Sequence, residues 1–143
     1  MLKAVPDVNL HVSGAIKRNG HPAQILDRTE EFLPYTSEAI LEDTARVLHY
    51  KRIQKRFNLT EEDILDYLEG LRITHTLVSG KLQASIVDAD PDDDKIITCA
   101  LEAGADYIIT GDPHLLNLKE YREVRIVTPR AFLELLDREK SPG

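Results

Sequence analysis

The chain has 143 residues, of which 42% are apolar and 30% charged, and its 18 basic and 25 acidic side chains give a net charge of −7. That length suits one domain with a real core. No apolar run approaches the roughly 20 residues that span a bilayer, and the N-terminus lacks a signal-peptide pattern, so no membrane partner and a cytoplasmic location are expected. The acidic balance excludes a general basic coat for nucleic acid, but not an enzyme that gathers acids in a metal pocket and holds phosphate on a local basic patch.

Leu2 to Val5 is a short apolar run that predicts a first strand ending or bulging at Pro6, because proline removes a backbone donor and is unwelcome inside a central strand. Asp7 then stands at its C-terminal edge, and a turn leads into a helix around Val12 to Lys17. From His21 to Glu31 the pattern of Pro22, Ile25 and Leu26 suggests a second short helix, and Phe32 to Thr36 a second strand. Ser37 is a suitable N-cap for a helix carrying Ile40, Leu41, Thr44, Val47 and Leu48 at helical spacing. On it Glu42 stands four residues before Arg46, a spacing equally compatible with an exposed ion pair and with a site role.

Lys51 to Arg56 is the densest basic segment and reads as a solvated helix end or a phosphate-contacting patch. Thr60 to Asp63 resembles a capping box with Asp in the usual place of Glu, and Ile64, Leu65, Leu68 and Leu71 continue that helix. Leu82 to Val87 predicts a third strand, Asp92 to Ala103 a helix capped by Gly104, Ala105 to Thr110 a fourth strand, and Val124 to Val127 a fifth. Thr128-Pro129 opens a final helix that buries Phe132, Leu135 and Leu136. Strands alternating with helices predict an α/β fold, three α/β/α layers around a mostly parallel sheet of about five strands. No repeat or linker divides it, so one domain is expected over residues 1–138, with a tail at 139–143 that frays. The single cysteine, Cys99, has no partner for an internal disulfide and reads as a small buried hydrophobe.

Chemistry concentrates between Asp88 and Leu116. Five carboxylates (Asp88, Asp90, Asp92, Asp93, Asp94) precede a helix, and Gly111-Asp112 follows a strand. In a parallel α/β unit helices begin and strands end on one edge, so Asp93 and Asp112 can face one crevice. Carboxylates aimed at each other repel unless a cation or proton lies between them. Acids in a first helical turn stabilise it by roughly 0.3–1 kcal/mol each, which accounts for one or two of them and not for five. The surplus points to a cation, and oxygen ligands select Mg²⁺ or Mn²⁺ over zinc.

Other motifs fail on the letters. An EF-hand starting at Asp88 needs glycine where Asp93 stands and glutamate where Cys99 stands. A haloacid-type phosphatase wants a second aspartate where Asn9 stands, and a receiver-like module wants a lysine after its last strand, where Thr128-Pro129-Arg130 has none. No Gly-rich phosphate loop or paired His/Cys zinc spacing occurs, and the five histidines read as surface or capping residues, with His114 close to Asp112.

Taken together the pieces resemble the PIN-domain proteins. Asp7-Val8-Asn9-Leu10-His11-Val12-Ser13 is similar to their opening D-x-N-x-x-x-S, and Ser37 to Glu42 to their S-x-x-x-x-E helix. Asp90-Pro91-Asp92-Asp93-Asp94 followed by Ala100 resembles their third acidic motif, and Thr110-Gly111-Asp112 with Leu115-Leu116 their T-G-D-x-x-L-L segment. Ile126-Val127-Thr128-Pro129 with Phe132 matches the usual ending.

The resemblance implies a Mg²⁺- or Mn²⁺-dependent endoribonuclease, often the VapC-like toxin of a toxin–antitoxin pair. Its catalytic acids, carried over by position, are Asp7, Glu42, Asp93 and Asp112, with Asp7, Asp93 and Asp112 as metal ligands and Asp90 and Asp94 in reserve. Asp93 is preferred to Asp94 because the family's acid precedes the helix alanine, here Ala100, by seven positions. Asn9, Ser13 and Thr110 are implied to orient the carboxylates or a water. Arg46, Lys51, Arg52 and Lys55 are candidates for contacting the RNA backbone, beside the favoured reading as a solvated surface. One or two metal ions would activate the water and neutralise the leaving oxygen. An RNA substrate, a cognate antitoxin and a homodimer are the implied partners. The alternative on the same fold is a catalytically weak RNA- or protein-binding module.

Overall fold

A computed structural model describes residues 1–80 and 91–140, the side chains of 91–94 excepted. Among the described residues the strands are β1 (Lys3–Pro6), β2 (Leu33–Thr36), β3 (Thr76–Leu77), β4 (Tyr107–Ile109), β5 (Glu120–Tyr121) and β6 (Val124–Val127). The helices are α1 (Val8–Ile16), α2 (His21–Leu26), α3 (Glu38–Leu48), α4 (Lys51–Phe57), α5 (Glu61–Thr74), α6 (Pro91–Ala103), α7 (Pro113–Leu116) and α8 (Pro129–Lys140).

The sheet has the order β3-β2-β1-β4-β6-β5, parallel throughout except for the β5–β6 pair. Successive strand residues point to opposite faces, and both faces are covered. On one side Val5, Ile108 and Ile126 pack with Ile40 of α3 and Ile96, Ile97 and Ala100 of α6. On the other, Ala4 and Ile109 pack with Ile25, Phe32, Phe132 and Leu136, where Phe32 and Phe132 meet edge to face. The result is the expected three-layer α/β/α arrangement, with six strands in place of about five.

Several local expectations shift for identifiable reasons. The helix expected from Val12 starts at Val8, because the Asp7 side chain accepts the Leu10 N–H and caps it there. The basic segment is a helix in its own right, α4, stopped by Asn58 in the left-handed region at φ 54°. The expected strand Leu82–Val87 lies outside the described residues; β3 at Thr76–Leu77 is the strand that pairs with β2. The antiparallel β5 was not predicted from the letters. Its turn places Arg122 and Glu123 at φ 44° and 73°, without the Asn-Gly or Asp-Gly pair that marks such hairpins. At the other end α8 carries the chain through Glu139 and Lys140, the first residues of the segment expected to fray.

The capping box forms in both directions, Thr60 Oγ1 accepting the Asp63 N–H and the Asp63 carboxylate accepting the Thr60 N–H. It starts α5, which lies antiparallel to α3. Arg72 near the end of α5 pairs with Glu38 at the start of α3, and His49 after α3 bonds Glu61 at the start of α5. With α4 between them, these helices form an arm joined to the body through Val12, Leu48 and Ile64.

Candidate functional site

The strand order reverses direction between β1 and β4, whose register pairs Pro6 with Ile109. The crevice beyond the carboxyl ends of strands at such a point is where ligands bind in open α/β sheets. Asp7 and Thr110 are the next residue on each strand, and the Asp7 N–H still reaches the Ile109 carbonyl at 3.1 Å.

Asp7 is 4% exposed, and its carboxylate accepts hydrogen bonds from Leu10 and Thr110. The Leu10 amide donates to Oδ1 at 2.7 Å, and the Thr110 hydroxyl donates to Oδ2. Thr110, itself fully buried, accepts the Asp112 N–H at 2.9 Å. Asp112 is half-buried, caps α7 and accepts the His114 N–H at 2.9 Å. The two acids are thus tied to one hydroxyl, which fixes both at the same edge. His114 itself is exposed.

On α3 Glu42 is exposed and its neighbour Asp43 is 9% exposed. Ile40, Leu41, Thr44 and Leu48 form the buried side of that helix. With half-buried Val47 included in that side, at about 100° per residue Glu42 falls roughly 160° from its centre and Asp43 about 100°. Asp43 therefore lies at the margin of the buried stripe, where the Lys95 ammonium of α6 reaches its Oδ2 at 2.8 Å and the Arg46 guanidinium its Oδ1 at 3.4 Å. Counting around the helix from its apolar residues is the signal by which the letters could have picked out Asp43.

The remaining residues are more scattered. Asn9 is exposed and Ser13 half-buried on α1, and neither side chain bonds to a carboxylate among the described residues. Asp93 and Asp94 lie in the first turn of α6, while their side chains, like Asp88 and Asp90 altogether, are outside the described residues. No cluster of three or more His, Cys, Asp or Glu side chains forms among those that are described. Lys51, Arg52 and Lys55 are exposed on α4, and Arg46 lies between Asp43 and the Tyr50 hydroxyl, 2.7 Å away. A cavity of about 490 Å³, lined by Leu48, Phe57, Ile64 and Tyr67 among others, opens between the arm and α1, and Asp7, Asp43 and Asp112 do not line it.

Two buried histidines meet behind α1. The rings of His11 and His75 stand edge to face with centroids 5.1 Å apart, and neither nitrogen of His11 has a hydrogen-bond partner among the described residues. Desolvation holds the His11 imidazole well below its ordinary value, with His75 adding to the effect, and burial lowers His75 to about 4. Cys99 is buried as expected, which pushes its thiol up to about 12.

The sequence profile of the PIN domain matches residues 3–114. An uncharacterized protein of Methanocaldococcus jannaschii is 29% identical over 143 residues, covering 93% of this chain and 90% of its own length.

Proposed function

The chain belongs to the PIN-domain family, and on that premise we propose that it is a divalent-metal-dependent endoribonuclease acting on single-stranded RNA. PIN domains are in general nucleases, which hydrolyse phosphodiester bonds. The observation that carries the reading furthest is the bond from Thr110 to Asp7, which locks a buried carboxylate at the switch point beside Asp112.

The donor set fits a hard cation. Asp7, Asp43 and Asp112 supply only oxygen, the donor type that hard cations such as Mg²⁺ and Mn²⁺ take. We assign Asp7, Asp93 and Asp112 as the residues that would hold Mg²⁺ or Mn²⁺, with Asp43 taking the place on α3 first given to Glu42. Spacing supports Asp93 over Asp94, since Asp93 precedes the buried Ile96, Ile97 and Ala100 by three, four and seven positions, one helical face. Asp90 and Asp94 stay in reserve.

A bound cation there would offset the mutual repulsion of the acids and polarise a phosphodiester. The chain's own groups do the positioning. Thr110 donates to one Asp7 oxygen, while the Leu10 amide fixes the other. Lys95 holds Asp43 against α6. The VapC-like resemblance adds the proposal of a toxin that dimerises and is restrained by a cognate antitoxin in the cytoplasm. No helix among the described residues is long and apolar enough to cross a membrane.

The test is cleavage of a labelled single-stranded RNA by nuclease-free protein with Mg²⁺ or Mn²⁺, with chelator, and by Asp7→Asn. Chelator should abolish turnover, and Asp7→Asn should lower kcat about a hundredfold or more, the scale of losing one charge-stabilising group. Turnover insensitive to both leaves only the binding-module reading. A small DNA-binding antitoxin in the adjacent reading frame would support the toxin assignment.

A further inference from the structure

We propose that the exposed face of α4 is a binding surface for the sugar–phosphate backbone of single-stranded RNA; in calling that strand the substrate, the proposal rests on the nuclease reading. Helix α4, KRIQKRF, has two opposed faces. Ile53, Gln54 and Phe57 are half-buried toward the body, while Lys51, Arg52, Lys55 and Arg56 are exposed. At about 100° per residue these four fall within one sector, roughly opposite the other three. None of the four is in an ion pair among the described residues, although Arg28, Arg46, Arg72, Lys95 and Lys140 all are.

Four cations crowded on two turns repel one another, and an anion lying along them relieves that repulsion. The chain as a whole carries −7, so a polyanion is repelled over most of its surface and attracted where such a patch stands. The face presents no apolar side chain, whereas an interface with another protein needs a buried anchor at its centre. A backbone of regular negative charge requires none. Tyr50, 43% exposed and bonded to Arg46, caps the patch with a ring on which a base can stack.

The patch is also connected to the acids. Arg46 touches Asp43 on one side and Tyr50 on the other; α3 runs about 7.5 Å past Asp43 to Leu48, at about 1.5 Å per residue, and α4 begins three residues later. A strand whose scissile bond lies at the carboxylates would thus have its flanking phosphates beside α4.

The experiment measures binding of a fluorescein-labelled 20-nucleotide single-stranded RNA to the full chain in chelator, across a salt series. Wild type is compared with Lys51→Ala/Arg52→Ala/Lys55→Ala and with Lys51→Arg/Lys55→Arg. The triple variant should bind about tenfold more weakly, and its log–log salt slope should be shallower by about 2, at about 0.7 per phosphate contact. The arginine variant should bind like wild type, and all three should melt alike because the substituted side chains are exposed. With metal present, the triple variant should raise KM on the 20-mer by a larger factor than on a dinucleoside monophosphate, whose one phosphate cannot occupy both places. Equal affinity and slope in the triple variant would overturn the proposal, as would polyglutamate of matched charge held more tightly than RNA through the same residues. Absence of cleavage in every form, with α4-dependent binding intact, would remove the nuclease reading and leave the surface standing.

Discussion

Thr110, at the end of β4, donates its hydroxyl proton to Asp7 at the end of β1 across 103 positions of sequence. The same oxygen receives the Asp112 amide, so one small side chain sets two carboxylates at the crevice.

Thr110→Val keeps the shape and removes both bonds. An Asp7 oxygen is then buried with one partner fewer, which should lower stability by about 1–3 kcal/mol in urea unfolding. Metal affinity or cleavage should fall about 10–100-fold, the usual effect of removing a group that orients a ligand. Unchanged stability and cleavage would show that the bond holds nothing in place.

Glu42 and Asp43 separate two assignments of the acid on α3. Asp43→Asn should cut cleavage of single-stranded RNA about a hundredfold or more, while Glu42→Gln, at an exposed position, should leave it within about twofold. The reverse order would return the role to Glu42 and make the Asp43–Lys95 pair purely structural.

Acid should weaken the fold through His75 and His11. Burial lowers both imidazoles, so below the ordinary value of 6.5 the unfolded chain binds protons that the folded one refuses. Their contribution is intact above pH 6.5 and is lost as pH falls below it, for His75 toward about 4. His75 alone should make the protein about 2 kcal/mol less stable at pH 5 than at pH 7, at about 1.4 kcal/mol per pH unit below 6.5. His49, raised by Glu61, titrates in the opposite sense, but it is exposed and its effect is small. Denaturant unfolding of wild type and His75→Gln at pH 7, 6 and 5 is the check, and the variant should show the flatter profile.

Gly14 lets α1, α2 and α5 approach one another. A Cβ there would stand 2.4 Å from Leu26 Cδ1 and 3.0 Å from the Tyr67 hydroxyl, which donates to the His11 carbonyl at 2.5 Å. Gly14→Ala should therefore destabilise by about 1–3 kcal/mol despite alanine's better helix propensity, because the neighbours must shift. A rise in Tm would show that the contact yields freely.

Wherever the period of apolar residues or a single capping side chain decides the outcome, the letters sufficed. They placed β1, β2, β4, β6, α5, α6 and α8, the Thr60 capping box and the Gly104 stop, because these depend on neighbours within a few residues. They also placed Asp7 and Asp112 at strand ends, since a strand followed by a helix start puts both on one edge.

Contacts across the fold were beyond their reach. Whether Glu42 or Asp43 faces α6 depends on where Lys95 lies, and the meeting of His11 with His75 depends on how the arm folds onto α1. The β5 hairpin, built on left-handed Arg122 and Glu123, is stabilised by pairing with β6 against local preference. Local sequence thus determined the elements and the order of their acids, because propensity and capping act over one or two turns. Only tertiary structure decided which side chains share a crevice, because that follows from the register of β1 against β4 and the packing of α3 against α6, which no short stretch encodes.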